Sequence, residues 1–207
     1  MIELNDQEEL FKLISRKIKK DVSCYAFGGT AMMYYGYKNA TKDIDLLFLN
    51  DLELNEFIKV LKDIGYKEIS PNIIYPIDRL DKPKMFKLDD ERFDIFNKNV
   101  FNFKPSKAFK ERFFARYDYR EGEFTFTVYV VSKEDIILMK ALTERENDFS
   151  DILTILDKEK AISWDIITNE ALIQENDWVK IDLEQTLQKL KKHVFIKKKY
   201  FDKLYGK

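Results

Sequence analysis

Hydrophobic and polar positions in the first part of the chain follow helix-like and strand-like periods in turn. Two segments carry apolar side chains at the three- and four-residue spacing of an amphipathic helix, with charged residues on the opposite face. Short apolar runs bounded by glycine or polar residues lie between them and are typical of strands and of one short helix. The predicted elements are a helix at 7–20, a strand at 23–27, a helix at 30–37, a strand at 43–49 and a helix at 54–66.

The spacing of apolar residues, which we call the sequence texture, changes from strand-like to helical at residue 132. Before that point, prolines separate short apolar runs, and after it the apolar residues recur at helical spacing. We therefore expect an α+β protein, with a small mixed β-sheet and flanking helices in residues 1–131 and a helical C-terminal region, residues 132–207, packed on that core. The predicted strands are at 66–69, 72–75, 84–88, 92–96 and 124–131, and the predicted helices are at 106–115, 132–142, 147–159, 163–175 and 183–195.

Composition and charge exclude several classes of protein. Hydrophobic residues make up 45% of the 207 positions, which is enough for a real core and excludes a disordered chain. The single Cys24 and the single His193 exclude a disulfide framework and count against cysteine- or histidine-rich metal sites and a Ser-His-Asp triad. The net charge of −1, the acidic N-terminus and the lack of a membrane-spanning apolar run lead us to expect a cytoplasmic protein without a membrane partner.

Two aspartates interrupt the apolar strand predicted at 43–49. Residues two apart in a strand point to the same face, so Asp43 and Asp45 project together, opposite Ile44, Leu46 and Phe48. Two like charges at that distance are costly unless a positive charge lies between them, and a divalent cation supplies it. Ligation by carboxylates alone favours Mg²⁺ or Mn²⁺ over zinc. The alternative is an exposed strand start with two solvated acids.

A third acid lies in the segment RFDIF, where Asp94 is flanked by Phe93 and Ile95. If this strand neighbours the strand at 43–49, its backbone lies ~4.8 Å away, and Asp94 can share the same metal ions. Taken alone, the pattern around Asp94 favours an outward-facing strand residue. The three acids together favour a metal site.

A glycine pair precedes the short helix predicted at 30–37. Gly28 and Gly29 allow the backbone to approach an anion closely, and a helix N-terminus offers free N–H groups to a phosphate. Thr30 adds a hydroxyl to the same turn. We interpret the acids as the residues that hold metal ions, and the metal ions as what holds a nucleotide's phosphates against the glycine turn.

The order of glycine pair, short helix, Asp-x-Asp and later acid resembles the DNA polymerase β-like nucleotidyltransferase superfamily. The stretch GGTAMMYYGYKNATKDIDLLF is similar, within it, to the AbiEii-type abortive-infection toxins and related small stand-alone nucleotidyltransferases. Those families typically read Gly-Gly-Thr-Ala at the helix and Arg-x-Thr-x-Asp-Ile-Asp at the strand. Asn39 stands at the arginine position of that pattern. The residues that match are Gly28, Gly29, Thr30, Ala31, Thr41, Asp43, Ile44 and Asp45.

The same families carry a later segment of the type Ser-x-Glu-Asp-Leu-Ile-x-x-Lys, then an arginine and a Lys-Asp-x-x-Asp-Leu run. The segments SKEDIILMK and RENDFSDIL place Lys140 and Arg145 on the two basic positions and Asp148 and Asp151 on the two acids, with Asn147 replacing a lysine. The resemblance implies that Lys140 and Arg145 contact phosphate and that the two acids support the metal site. Each residue also has an ordinary interpretation, as a lysine that extends to solvent, a salt-bridged arginine, or acids stabilised at a helix start.

The resemblance implies a nucleotidyltransferase fold, with residues 1–131 as the catalytic core. The expected reaction moves a nucleoside monophosphate from a nucleoside triphosphate to an acceptor hydroxyl, in the presence of Mg²⁺ or Mn²⁺. Asp43, Asp45 and Asp94 would be the catalytic metal ligands: Asp43 and Asp45 would hold two metal ions, and Asp94 would ligate the second ion and help to deprotonate the acceptor. Phosphate contacts are expected from Gly28, Gly29, Thr30, Thr41, Lys140 and Arg145.

The acceptor is left open by the sequence. It is either RNA, such as a tRNA end in a toxin–antitoxin or defence context, or a hydroxyl of a partner protein, as in antitoxin-type enzymes. A non-catalytic nucleotide-binding module is the third interpretation. The lysine-rich tail at 180–207 carries nine lysines against three acids, with Phe195, Tyr200 and Phe201 among them, which favours RNA. A lysine-coated amphipathic helix is the simpler interpretation of that tail.

Overall fold

The computed structural model describes residues 1–143 and 145–205. The chain forms two compact units: residues 1–101 with 113–131, and residues 102–112 with 132–207. The main segment of the second unit begins at residue 132, where the sequence texture changes. A short excursion at 102–112 also belongs to it. No helix within the described ranges is both long and apolar enough to pass through a membrane.

The first unit is built on a mixed β-sheet. Its elements are β1 (Ile2–Glu3), α1 (Leu4–Ser15), β2 (Val22–Ala26), α2 (Gly28–Tyr34), β3 (Ala40–Thr41), β4 (Ile44–Phe48), α3 (Asp51–Asp63), β5 (Lys67–Ile69), β6 (Lys84–Leu88), β7 (Glu91–Asn97), β8 (Phe113–Tyr119) and β9 (Phe126–Val131). Seven strands form the main sheet in the order β5-β6-β7-β4-β2-β9-β8, and β1 pairs with β3. The pairs β2–β9 and β4–β7 are parallel and the others are antiparallel. The predicted α+β class with a mixed sheet is confirmed.

One face of the sheet carries the core of this unit. Phe11 and Ile14 from α1 and Phe57 from α3 are fully buried in one cluster with the inward side chains of the central strands. In β4 those inward residues are Ile44, Leu46 and Phe48. Because strand side chains alternate, Asp45 points to the opposite face, away from this cluster. The core therefore fixes the orientation of the acids.

Two predicted elements differ in the structure. The segment predicted as a strand at 72–75 is a 3₁₀ turn at Pro71–Ile73, in which the Ser70 hydroxyl caps Asn72 N–H and Pro71 presets the backbone. The helix predicted at 106–115 ends at Glu111, and the following aromatic residues form strand β8. Pairing of β8 with the edge of β9 overrides the helical spacing of this segment.

The second unit is helical. Its elements are α4 (Lys107–Glu111), α5 (Lys133–Ala141), α6 (Glu146–Lys158), α7 (Trp164–Leu172), α8 (Asp177–Leu190) and α9 (Lys198–Leu204). The Ser132 hydroxyl accepts a hydrogen bond from Asp135 N–H and caps α5, as the sequence pattern predicts. The helix predicted at 183–195 starts earlier, at Asp177, because Asn176 caps it there. The chain then breaks and forms α9, which the sequence pattern does not indicate.

A buried ionic cluster joins three segments of the second unit. Arg112 donates to Asp135 Oδ2 at 2.9 Å and Oδ1 at 2.5 Å, and to Glu170 Oε2 at 3.1 Å. The Ser106 hydroxyl donates to the same Glu170 oxygen at 2.8 Å. Burial raises the pKa of Asp135 to about 6, against the opposing effect of the Arg112 guanidinium. These contacts link residues 102–112 to α5 and α7.

Candidate active site

Asp45 and Asp94 are register partners on two neighbouring parallel strands, β4 and β7. Partners in a parallel pair project to the same face, at the ~4.8 Å spacing of adjacent strands. Asp43 lies two residues before Asp45, and Arg92 lies two residues before Asp94. The period of two therefore places four charged side chains on one face of the sheet.

Arg92 joins two of the three acids. Its Nε donates to Asp94 Oδ1 at 2.8 Å, and one terminal nitrogen donates to Asp94 Oδ2 at 3.2 Å and also contacts Asp43 Oδ2. The Tyr75 hydroxyl donates to Asp94 Oδ2 at 2.9 Å. Asp94 is fully buried, and the Asp43 and Arg92 side chains are 23% and 19% exposed. We call these contacts of the Arg92 guanidinium with Asp94 and Asp43 the Arg92 fork. Its charge-assisted hydrogen bonds offset the free-energy cost of burying the Asp94 carboxylate.

Burial and neighbouring charges shift two pKa values at this cluster. The pKa of Asp94 is raised, chiefly because burial disfavours its charged form, and Arg92 partly offsets that effect. Burial lowers the pKa of Arg92, but the carboxylates of Asp94 and Asp43 more than reverse that change, so the net shift is upward. The guanidinium is therefore charged at every physiological pH.

The glycine turn lies directly against the acids. Gly28 has a φ of +57°, and a Cβ atom at that position would lie 2.3 Å from Asp45 Oδ2. A Cβ atom on Gly29 would lie 2.3 Å from Thr41 Oγ1. The Thr30 hydroxyl accepts a hydrogen bond from Asp45 N–H at 2.8 Å. Both positions thus require glycine, and the structure brings the predicted turn and the predicted acids together.

The residues of this cluster fit a hard divalent cation in chemistry. Asp43, Asp45 and Asp94 offer only carboxylate oxygens, the donors that Mg²⁺ and Mn²⁺ prefer. Within residues 1–143 and 145–205, however, no three side chains of His, Cys, Asp or Glu are grouped as a metal site. Asp43 and Asp94 are both in contact with the Arg92 guanidinium. Their role as metal ligands stays a prediction.

The later predicted residues form a separate cluster within the second unit. Lys140 Nζ lies 2.7 Å from Asp148 Oδ1 and 2.6 Å from Asp151 Oδ2, and all three side chains are buried. Arg145 Nε donates to Asp148 Oδ2 at 2.6 Å, and the Thr143 hydroxyl donates to the same oxygen at 2.5 Å. The motif residues are thus brought together as an ion cluster. Their contact with phosphate or metal stays a prediction.

Sequence reasoning missed Arg92 and Tyr75. Arg92 had a usable signal, since a residue two before Asp94 on a strand must share its face. Tyr75 had none, because it lies in the loop after the 3₁₀ turn, and loop geometry is not encoded in a hydrophobic period.

Replacing Gly28 with Ala is expected to destabilise the protein by about 2–3 kcal/mol, because the new methyl group would clash with the Asp45 carboxylate at a left-handed φ. Gly36→Ala is the matched control, since Gly36 has a φ of +69° and a Cβ atom there would meet no other group within 4 Å. That variant should lose only about 1 kcal/mol. Urea unfolding of both variants measures the difference. Equal losses would contradict the close packing of Gly28 on Asp45.

Two solved structures share a weak likeness with the chain. The solution structure of the antibiotic-resistance factor ANT(2'')-Ia has 13% sequence identity and a TM-score of 0.43, and the match covers 83% of this chain and 85% of that one. The crystal structure of ANT(2'')-Ia in complex with adenylyl-2''-tobramycin has 14% identity and a TM-score of 0.39, with 81% and 88% covered. No curated protein matches the chain significantly. At these scores the likeness transfers no residue role.

The family comparison is decisive because it spans nearly the whole chain. The model of the family described as "Nucleotidyltransferase of unknown function (DUF6036)" matches residues 4–202. The match includes the glycine turn, the three acids and the later helical segments. The prediction of a nucleotidyltransferase is confirmed, and the DNA polymerase β-like superfamily and the AbiEii-type subfamily stay predictions. The chain belongs to this family of nucleotidyltransferases.

Proposed function

We propose that the protein is a metal-dependent nucleotidyltransferase that moves a nucleoside monophosphate from a nucleoside triphosphate to an acceptor hydroxyl. The observation that carries the proposal is the register of β4 and β7, in which Asp45 and Asp94 are direct partners on the face that also bears Asp43. The glycine turn packs against Asp45 at the same place. Carboxylates beside a backbone turn suit a phosphate chain that is bridged to them by cations.

The chain's own residues position both substrates in this proposal. Gly28 and Gly29 let the triphosphate approach the backbone beside Asp45, and Thr30 and Thr41 border the turn. When bound, Mg²⁺ or Mn²⁺ would offset the negative charge of the phosphates and the negative charge that develops on the leaving pyrophosphate. Asp43, Asp45 and Asp94 would hold this cation in place.

Asp94 would take the proton of the acceptor hydroxyl. The acceptor oxygen then forms a bond to the α-phosphorus, the bond to pyrophosphate breaks, and pyrophosphate leaves with both electrons. Catalysis of this kind rests on positioning and charge neutralisation, so it needs no histidine.

RNA is the acceptor that the second unit favours. Among the described residues of the lysine-rich tail, Lys192, Lys197 and Lys198 are exposed, as is Phe195. Tyr200 and Phe201 are buried, so they pack inside the unit rather than offering rings to bases. The surface of the tail therefore supports contacts with a phosphate backbone more than stacking. The AbiEii-type resemblance supports a toxin–antitoxin or defence setting for such a reaction.

The test of the proposed function is a transfer assay. The protein is incubated with each of the four α-³²P-labelled triphosphates, Mg²⁺ or Mn²⁺, and separate preparations of total RNA and total protein. We expect label in RNA from one preferred triphosphate, and none when metal is chelated. Label in protein alone would identify a partner-modifying enzyme instead. Nucleotide binding without transfer to any acceptor would leave a binding module and overturn the catalytic proposal.

Replacing His193 with Ala should leave the rate of transfer within about twofold of wild type, because the mechanism assigns no proton transfer to it. His193 is exposed, and its ring is 5.9 Å from the ring of Phe149 in the second unit. Single-turnover rates with saturating triphosphate provide the measurement. A fall of about a hundredfold, the size expected on removing a general acid or base, would show that the chemistry is misplaced.

A further inference from the structure

The Arg92 guanidinium lies where the proposed function requires a metal cation. Its guanidinium lies between Asp43 and Asp94 on the acidic face, and it donates to both. The same two carboxylates are two of the three candidate metal ligands. The Arg92 guanidinium and a metal ion cannot both occupy the space between the Asp43 and Asp94 carboxylates.

We propose that Arg92 is the built-in counter-ion of the metal-free site, and that a divalent cation binds Asp43 and Asp94 only by displacing its guanidinium. The inference rests on the proposed function, and it adds a positioning residue that the motif does not contain. In the metal-free protein Arg92 balances the charge of Asp43 and Asp94 and keeps their carboxylates directed at the guanidinium, so that they do not bind a shared cation. The apparent affinity for metal is therefore the intrinsic affinity multiplied by the fraction of molecules in which Arg92 has released the two carboxylates.

Two features of the contact support exchange rather than a permanent structural pair. Arg92 is partly exposed, at 19%, so the guanidinium has a route to solvent, whereas its partner Asp94 is fully buried. Arg92 contacts one carboxylate on β7, that of Asp94, and one on the residue just before β4, that of Asp43, so its release frees both acids at once.

The Tyr75 hydroxyl completes the metal-free arrangement. It donates to Asp94 Oδ2 at 2.9 Å, on the same oxygen that Arg92 reaches at 3.2 Å. A cation on that oxygen would compete with both donors. The exchange therefore involves the loop that carries Tyr75 as well as strand β7.

The test measures Mn²⁺ affinity on the full-length, metal-free protein without nucleotide, by electron paramagnetic resonance of free Mn²⁺. Arg92→Gln should bind Mn²⁺ about tenfold more tightly than wild type, since the competing fork is removed. Arg116→Gln is the matched control, because Arg116 also pairs with an aspartate two residues on, with Nε 3.0 Å from Asp118 Oδ1, on an exposed part of β8. Its Mn²⁺ affinity should equal that of wild type.

Arg92→Lys separates occupancy of the site from a general charge effect and serves where Arg92→Gln fails to fold. Lysine keeps the positive charge but lacks the planar fork that reaches both carboxylates, so Mn²⁺ affinity should still rise about threefold. Unchanged affinity in Arg92→Lys, or in a folded Arg92→Gln, overturns the exchange and leaves the proposed function intact. Absence of saturable Mn²⁺ binding in wild type and both Arg92 variants overturns the exchange together with the metal-dependent function.

Discussion

Asp45→Asn is expected to reduce nucleotide transfer by on the order of a hundredfold to a thousandfold, the loss typical of removing one electrostatic group that stabilises a transition state. The substitution removes one negative charge with almost no change in volume. Asp45 packs against the Gly28 turn, which would take the phosphates, and it is the register partner of Asp94. Single-turnover transfer rates measure the effect.

Thermal melts separate this functional role from a structural one. The substitution removes a charge of the same sign as the nearby Asp43 carboxylate, so metal-free Asp45→Asn should keep or exceed the stability of wild type. Wild type should gain melting temperature from Mg²⁺ with nucleotide, because ligand binds only the native state, and the variant should lose most of that gain. Asp118→Asn is the control on β8, where the exposed acid pairs with Arg116. An unchanged ligand-dependent gain in Asp45→Asn would contradict the two-metal assignment.

The fold class was predictable because it rests on local periods. The short apolar run Ile44–Phe48, interrupted by Asp45, assigns a strand, and its period of two places Ile44, Leu46 and Phe48 on the face opposite Asp45 without any knowledge of the strand's partners. The same reasoning places Asp43 and Asp45 together. Helix starts such as that of α5 follow from capping residues, since Ser132 bonds to a backbone N–H only three residues away.

The partners of each strand were not predictable in the same way. Asp45 and Asp94 are 49 residues apart, and nothing in either segment specifies that β4 and β7 are neighbours in parallel register. The start of strand β8 is predicted as helix because its aromatic residues follow the helical segment α4, and only the edge of β9 decides the outcome. Long-range pairing is a property of the whole sheet, so local pattern assigns candidate residues but not the site.

The family motif in the second unit has the same limit. The sequence indicates that Lys140 is unusual, because it lies in a helix that is apolar nearly all round. It does not indicate that α6 supplies two carboxylates to it. The ion cluster that results gives Lys140 a clear structural role, whether or not a phosphate also reaches it.

Lys140→Met is expected to destabilise the protein by about 3–5 kcal/mol, because it leaves Asp148 and Asp151 buried without their shared cation. Burial lowers the pKa of Lys140, but Asp148 and Asp151 more than reverse that change, so the net shift is upward. The pKa of Asp148 shifts downward overall, because Lys140 outweighs the effect of burial. The Lys140 ammonium is thus charged at neutral pH and donates to both carboxylates. Urea unfolding of the nucleotide-free protein measures the loss.

Lys133→Met is the matched control for this lysine. Lys133 begins the same helix, α5, and pairs with Glu159 at 2.5 Å, but both side chains are about a quarter exposed. Removing an ion pair that water can reach should cost no more than about 1 kcal/mol. Asp151→Asn in the Lys140→Met background should recover part of the stability, because it removes one of the two buried negative charges that Lys140 balanced. If Lys140→Met instead unfolds at the same urea concentration as Lys133→Met and loses only nucleotide affinity, then the lysine serves phosphate rather than the fold.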